Sequence, residues 1–598
     1  MEFRNVAIIA HVDHGKTTLV DALLKQSWVF RENQEVWTKL MDVNEQEKER
    51  WITIYSKNTA VKYKNVKINI IDTPWHADFS SEVERVLRMV DWVVLVVDAY
   101  EWPMPQTKFV LKKSLELWLK PLVVINKIDK PTARPDEVID EVFNLMDQLW
   151  ANDEQLDFPV IYTIAKQWIA KQNLEDTSEN IYPLFEAILN HIPPANSDNS
   201  KPFRMQITNL DYDNFLWRMW IWRIYEWKVK VWQQVIIIDN KGNKRKGKIS
   251  AILSTEALHK EKVNEAFAWD IVQIAWINDI FVWETICESE NQLPLPSIKI
   301  DEPTYKIKIL VNNSPFAGKE WKYLTSRQIR ERLERELESN VWLEINFWTD
   351  EFEVIWRWEL HLSVLIESMR REWFELQVWA PQVVFKEINW KKHEPIEIVT
   401  IFTPSVFSWT IIEKLWQRKW ELIEMKEDEE ITNLVFKIPS RWLIWFKWEF
   451  VTLTKWEWII SSTFESYEPY KGKIEKRKVW SMISWETWKV MTYSLWNLQE
   501  RWPIFVGPWT EVYEWMIIWE HLKWWDLVVN PCKNKKLTNM RASWSDEAMK
   551  LVPPIIMTLE QAIDYIWDDE YVEITPKSIR LRKIYLTENE RKKAKRQQ

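Results

Sequence analysis

The sequence predicts a multidomain chain: an α/β phosphate-binding-loop domain, then a β-barrel, two α+β domains and a mainly β C-terminal domain. Three observations carry this reading. Residues 1–198 alternate short apolar runs with helical stretches, and the runs end in polar residues of nucleotide-type motifs. Residues 201–295 change to short β runs broken by turn residues. The length of 598 residues accommodates about three to five domains.

In the first domain the apolar run 6–9 precedes a loop and then a helix-like stretch, 19–25. Runs 67–72, 93–98 and 122–126 read as further strands. Ligands of open α/β sheets bind beyond the carboxyl ends of the strands, so motifs at those ends converge on one pocket. A Pro/Asn/Ser/Asp-rich break at 192–199 closes the domain at about residue 198. In 201–295, the run 234–238 followed by the turn Asp239-Asn240-Lys241-Gly242 suggests a small barrel, ended by Leu293-Pro294-Leu295-Pro296. Residues 302–385 read as α+β, with Ile329, Leu333 and Leu337 at helical spacing behind Ser326, an N-cap residue type. A second α+β unit covers 386–478, helical around 411–416. Residues 479–585 are mostly short strands, and the basic tail 586–598 is expected to fray.

Composition narrows the function classes. A net charge of −9 excludes a protein that coats nucleic acid non-specifically, while leaving room for local basic patches. Two distant cysteines, Cys287 and Cys532, fit a reduced, cytoplasmic setting and no structural zinc. Met1-Glu2-Phe3-Arg4 enters a strand almost at once, so no signal peptide is expected, and no run reaches the length of a membrane span.

One imbalance stands out. The chain has 6 Gly and 45 Trp, whereas glycine ordinarily makes up about 7% of a protein. The two types together amount to an ordinary glycine content. Tryptophan also sits at tight corners such as Pro74-Trp75-His76, Ser440-Arg441-Trp442 and Ala542-Ser543-Trp544, where backbone demands favour glycine. The expectation is that most of these tryptophans are glycine in the living protein, through a UGA codon read as glycine. Trp37, with no turn demand around it, is a candidate for a genuine tryptophan.

The nucleotide motifs follow in order. Ala10 to Thr17 fits G-x-x-x-x-G-K-[ST] except at Ala10. The backbone of Asp13, His14, Gly15 and Lys16 leads into a helix N-terminus, which attracts anions. Lys16 would reach the outer phosphates of GTP, Thr17 would hold Mg²⁺, and Thr18 continues the loop into the helix. Asp72 ends a strand and would bind Mg²⁺ directly or through water. Thr53, behind the charged and pliable stretch 45–49, would supply the second hydroxyl ligand from a switch loop. His76, four residues after Asp72, would position the attacking water. In Asn126-Lys127-Ile128-Asp129, Asp129 can accept from the N1–H and 2-amino group of guanine, a donor pair adenine lacks. Asn126 and Lys127 brace that loop. The expected Ser-Ala-Lys element appears as Ile164-Ala165-Lys166. Ala165 N–H can still meet the base oxygen, so the missing serine should weaken nucleotide hold rather than abolish it.

At this point the chain resembles the BipA/TypA family of ribosome-associated translational GTPases. The likeness covers nearly the whole chain. It rests on the His-Val-Asp-His-Gly-Lys loop, 98–107, 126–129, 314–320 and 357–362, and more specifically on 439–446 and 535–543. Glycine in place of tryptophan improves nearly every match. The resemblance implies five domains, with ferredoxin-like α+β units, the second being similar to domain V of elongation factor G, and a family-specific C-terminal domain. It implies a monomer that binds the ribosomal A-site region, with stress adaptation and large-subunit assembly as its roles. It also implies that Lys533, Lys535, Lys536 and Arg541 lie on a loop toward rRNA or A-site tRNA backbone, where contacts position without reading sequence. The alternative is a GTP-dependent assembly scaffold whose hydrolysis is incidental.

Overall fold

The computed structural model describes residues 2–27, 45–50, 53, 56–74, 80–100, 105–194, 201–275, 284–296, 302–444, 459–472, 480–499, 504–521, 525–534, 551–586 and 590, apart from short breaks at 12, 214–216, 240–241, 258, 321–322, 341–342, 358, 417–419 and 428–430. It forms two compact units: Met1–Ile300 with Glu338–Val341 and Glu457–Ser461, and Asp301–Leu337, Trp342–Trp456 and Ser462–Gln598.

The first unit opens with strand β1 (Glu2–Ala10), helix α1 (Lys16–Gln26), a short helix α2 (Glu45–Arg50), β2 (Lys57–Tyr63), β3 (Val66–Asp72), α3 (Ser80–Met89), β4 (Trp92–Asp98), α4 (Pro105–Glu116) and β5 (Lys120–Asn126). It continues with α5 (Pro135–Gln148), α6 (Asp153–Leu156), β6 (Val160–Ile164), β7 (Ile169–Lys171) and α7 (Tyr182–His191). The strands form one sheet in the order β2-β3-β1-β4-β5-β6-β7. β3, β1, β4, β5 and β6 run parallel, and β2 and β7 are antiparallel edges. A parallel sheet needs both faces covered. Leu19, Leu23, Leu24, Leu184, Phe185 and Ile188 of α1 and α7 cover one face. Val83, Val86, Leu87, Leu111, Val138 and Val142 of α3, α4 and α5 cover the other. β1 lies between β3 and β4, where the chain order reverses, so the loop after β1 opens into the crevice that such sheets use for ligands.

The β-rich segment that follows has eight strands in one sheet, plus a two-stranded pair, Lys228–Lys230 with Glu265–Phe267. It is fastened to the first sheet. Ala257 N–H donates to Ala60 O at 2.8 Å, and Lys67 Nζ pairs with Asp270 Oδ1 at 2.8 Å, both side chains buried. Arg223 Nη2 lies 2.6 Å from Asp91 Oδ1.

In the second unit, strand Leu376–Trp379 pairs antiparallel with Glu570–Ile574. One sheet therefore runs from the 302–385 segment into the 479–585 segment. Ser314 Oγ and Tyr513 Oη donate to the buried Glu573 carboxylate at 2.6 and 2.7 Å, tying the segments further. A separate sheet contains Lys391–Pro404 and Ile431–Pro439. Arg357 Nη1 lies 3.0 Å from Glu397 Oε1, with both side chains buried, and joins this sheet to its neighbour.

One local expectation changes. The stretch 45–49 is helical rather than pliable. Acidic Glu45 and Glu47 occupy its first turn, where the helix dipole favours negative charge, and Glu47 pairs with Lys57 at 2.6 Å. Residues 479–585 contain helices Thr492–Gln499 and Leu559–Tyr565 besides strands. The second is closed by a capping box between Thr558 and Gln561.

Candidate functional site

Gly15 is the N-cap of α1, with φ +96°, and Asp13 is also left-handed at φ 65°. A Cβ on Gly15 would stand 2.3 Å from Asn126 Nδ2, so glycine is required there on two counts: conformation and space. His14 is buried and stacks edge-on against His11, ring centroids 5.3 Å apart. Burial holds both imidazoles down to about 4, so both are neutral at physiological pH; for His11 the nearby Asp13 opposes that shift.

Lys16 Nζ gathers three oxygens. It lies 2.7 Å from Asp72 Oδ1, 2.9 Å from Thr53 Oγ1 and 3.0 Å from Thr73 O. The carboxyl ends of β1 and β3 and the loop after α2 thus meet at one cation. Hydroxyl and carboxylate oxygens of this kind are the donors Mg²⁺ takes alongside phosphate and water. Among the described residues no cluster of three His, Cys, Asp or Glu is placed to hold a metal ion by itself. Thr17 is half-buried and Thr18 exposed on α1.

Asn126, at the end of β5, is a buried brace. Its Nδ2 donates to His14 O at 2.8 Å, and its Oδ1 accepts from Ala165 N–H at 3.0 Å and Thr163 Oγ1 at 3.1 Å. The phosphate loop and the 164–166 loop are therefore held by one side chain. Ala165 N–H is directed at this brace, which departs from the expectation that it faces a base. Its neighbour Lys166 is exposed. Lys127 is left-handed at φ 64° and its Nζ lies 2.7 Å from Asp98 Oδ2. Lys130 joins the same oxygen at 2.9 Å. Burial raises the Asp98 carboxyl, but the hydrogen bonds from Lys127 and Lys130 outweigh it and hold the group below the usual range. Asp129 is exposed beyond this pair.

Asp98 is the site residue that sequence reasoning did not assign. The available signal was its place as the last residue of a strand, parallel and in register with Asn126. His76, Lys535, Lys536 and Arg541 lie outside the described residues. Lys533 is exposed in the second unit, and its carbonyl accepts from Ser494 Oγ at 2.8 Å.

The chain also has relatives among known proteins. Residues 1–194 match the elongation factor Tu GTP-binding domain, 391–478 the elongation factor G C-terminus, and 480–588 the TypA/BipA C-terminal domain. The chain is 49% identical to the large ribosomal subunit assembly factor BipA of Escherichia coli K12, over 100% of this chain and 99% of that one. It is 48% identical to the protein of the same name from Synechocystis, over 98% of each. A crystal structure from Thermus thermophilus matches with a TM-score of 0.56 at 13% identity, covering 79% of this chain and 97% of that one, a likeness of fold. The chain belongs to the BipA/TypA family and is a translational GTPase. Among the described residues no helix is long and apolar enough to cross a membrane.

Proposed function

We propose that this member of the family hydrolyses GTP in a ribosome-dependent manner and serves assembly of the large ribosomal subunit, acting at the A-site region and in stress adaptation. The observation that carries the reading is the Lys16 ammonium gathered with the Asp72 carboxylate and the Thr53 hydroxyl. Lys16 and the N–H groups that open α1 take up phosphate charge. Thr17, Thr53 and Asp72 would hold Mg²⁺, which would neutralise charge on the outer phosphates. Asp129 reads the guanine edge, while Asn126, Lys127, Ala165 and Lys166 form the walls behind it. Ile164, in the place of a serine, loosens that hold. His76 orients the attacking water once the ribosome places it, so the free enzyme is slow. Lys533, Lys535, Lys536 and Arg541 contact rRNA or tRNA phosphates. The working form is a cytoplasmic monomer.

The test is His76→Ala. GTP binding stays within about twofold while ribosome-stimulated turnover falls about 100-fold or more. Unchanged turnover would assign the water to another group. The name of the relatives, an assembly factor, favours a second reading in which bound GTP alone organises assembly. A non-hydrolysable analogue that supports complete assembly would decide for that reading.

A further inference from the structure

Tryptophan contributes 45 of 598 residues, yet among the described residues it holds ten of the fifteen non-glycine positions with left-handed backbone, all at φ between 60° and 73°. The wider backbone geometry around eight of these ten is that of glycine sites.

Three of them end helices. After α4, Trp118 N–H donates to Leu115 O at 2.9 Å and Leu119 N–H to Ser114 O at 3.1 Å. After α5, Trp150 N–H donates to Asp147 O and Ala151 N–H to Met146 O, at 2.9 and 3.1 Å. After helix Glu359–Arg371, Trp373 N–H donates to Arg370 O and Phe374 N–H to Met369 O, both at 3.1 Å. This paired 5→2 and 6→1 bonding is the Schellman motif, and tryptophan stands each time at the left-handed position that glycine normally fills.

Four more occupy the third place of a β-turn closed by a bond from the fourth N–H to the first carbonyl. Gln233 N–H reaches Lys230 O across Trp232, and Asp270 N–H reaches Phe267 O across Trp269, each at 3.2 Å. Thr510 N–H reaches Gly507 O at 3.4 Å across Pro508-Trp509, and Met516 N–H reaches Tyr513 O at 3.1 Å across Trp515. A third residue at positive φ behind proline is the type II turn, whose sequence signature is Pro-Gly. The hairpin between Lys386–Ile388 and Lys391–Pro404 is joined by two residues, Asn389 and Trp390, both at positive φ. That is the geometry of an Asn-Gly type I′ turn. Trp168 and Trp227 complete the set.

Some of the indoles find a cation or an acceptor, as Trp269 does under Arg223 at 3.7 Å and Trp515 with Glu514 Oε1 at 3.0 Å, whereas others stand in solvent. Trp390 is 98% exposed and Trp150 83%. Trp269 is packed away, and its buried Nε1–H has no hydrogen-bond partner, which a buried indole ordinarily finds.

We infer that these ten residues are glycine in the protein as its own cell makes it, inserted by a tRNA that reads UGA as glycine. The inference is independent of the proposed function. Peptide mass measurement on protein from the source cells tests it directly: glycine masses are expected at 118, 150 and 390, and an intact indole at any of them overturns it. A second measurement compares two recombinant full-length chains, one with all ten tryptophans and one carrying Trp→Gly at all ten. The glycine chain is expected to yield about tenfold more soluble protein and to melt at higher temperature. Equal yield and equal melting temperature for the tryptophan chain would overturn the inference as well.

Discussion

Among the described residues, left-handed backbone keeps opposite company in two regions of this molecule. At the nucleotide end of the first sheet it falls on Asp13, Gly15 and Lys127. There the conformation is tied to specific contacts: Gly15 lies under Asn126, and Lys127 is pinned to Asp98. At helix ends and hairpins it falls on tryptophans such as Trp118, Trp150 and Trp390, whose rings stand in solvent. A bulky residue in this region costs about 1–2 kcal/mol, and ten of them sum to as much as the whole stability of a domain, about 5–15 kcal/mol. Strain that surrounding contacts over-determine marks a site. The same strain repeated on one residue type, at turns and helix ends with the geometry of glycine sites, speaks to which residue is there.

The comparison can be broken most sharply at Gly15. Gly15→Ala drives a Cβ into Asn126 Nδ2 and should lower GTP affinity at least about 100-fold, near 2.7 kcal/mol, as read by calorimetric titration. Asn126→Ala leaves His14 O and Ala165 N–H without their shared partner, and about 2 kcal/mol of nucleotide affinity should go with it. Retained affinity in that variant would mean the two loops hold each other without the brace.

A pH effect comes next. The unfolded chain protonates His11 and His14 near pH 6.5, whereas the folded chain resists until about pH 4. Stability should therefore fall as pH drops through that window, by up to about 3 kcal/mol for each imidazole. His14→Gln should flatten the melting-temperature profile there, and an unchanged profile would place the linkage elsewhere. The smallest effect sharpens the contrast. Trp118→Gly should raise stability by about 1 kcal/mol in chemical denaturation. Lys127→Gly relieves the same backbone strain but removes an ion pair to a buried carboxylate, so it should give no such gain.

The first domain was legible because parallel strands covered on both faces read as unbroken apolar runs. The runs at β1, β3, β4 and β5 end in the very residues that meet at the site. The role of Asp98 was not legible. Nothing in its local sequence says that β4 and β5 end level, or that Lys127 turns back across them. Nor does any local pattern reveal that Leu376–Trp379 pairs with Glu570–Ile574, because strand pairing over such a separation leaves no periodic trace.

Sequence alone determined the order of the motifs, the phosphate loop with the 126–129 motif that follows it, and the excess of tryptophan over glycine. These are statements about residue types along a line. Tertiary structure decided which carboxylate pins Lys127, that Asn126 fastens two loops at once, and which tryptophans sit in backbone that only glycine adopts without strain. Those depend on φ angles and on atoms far apart in the chain brought within hydrogen-bond reach, and no linear reading contains them.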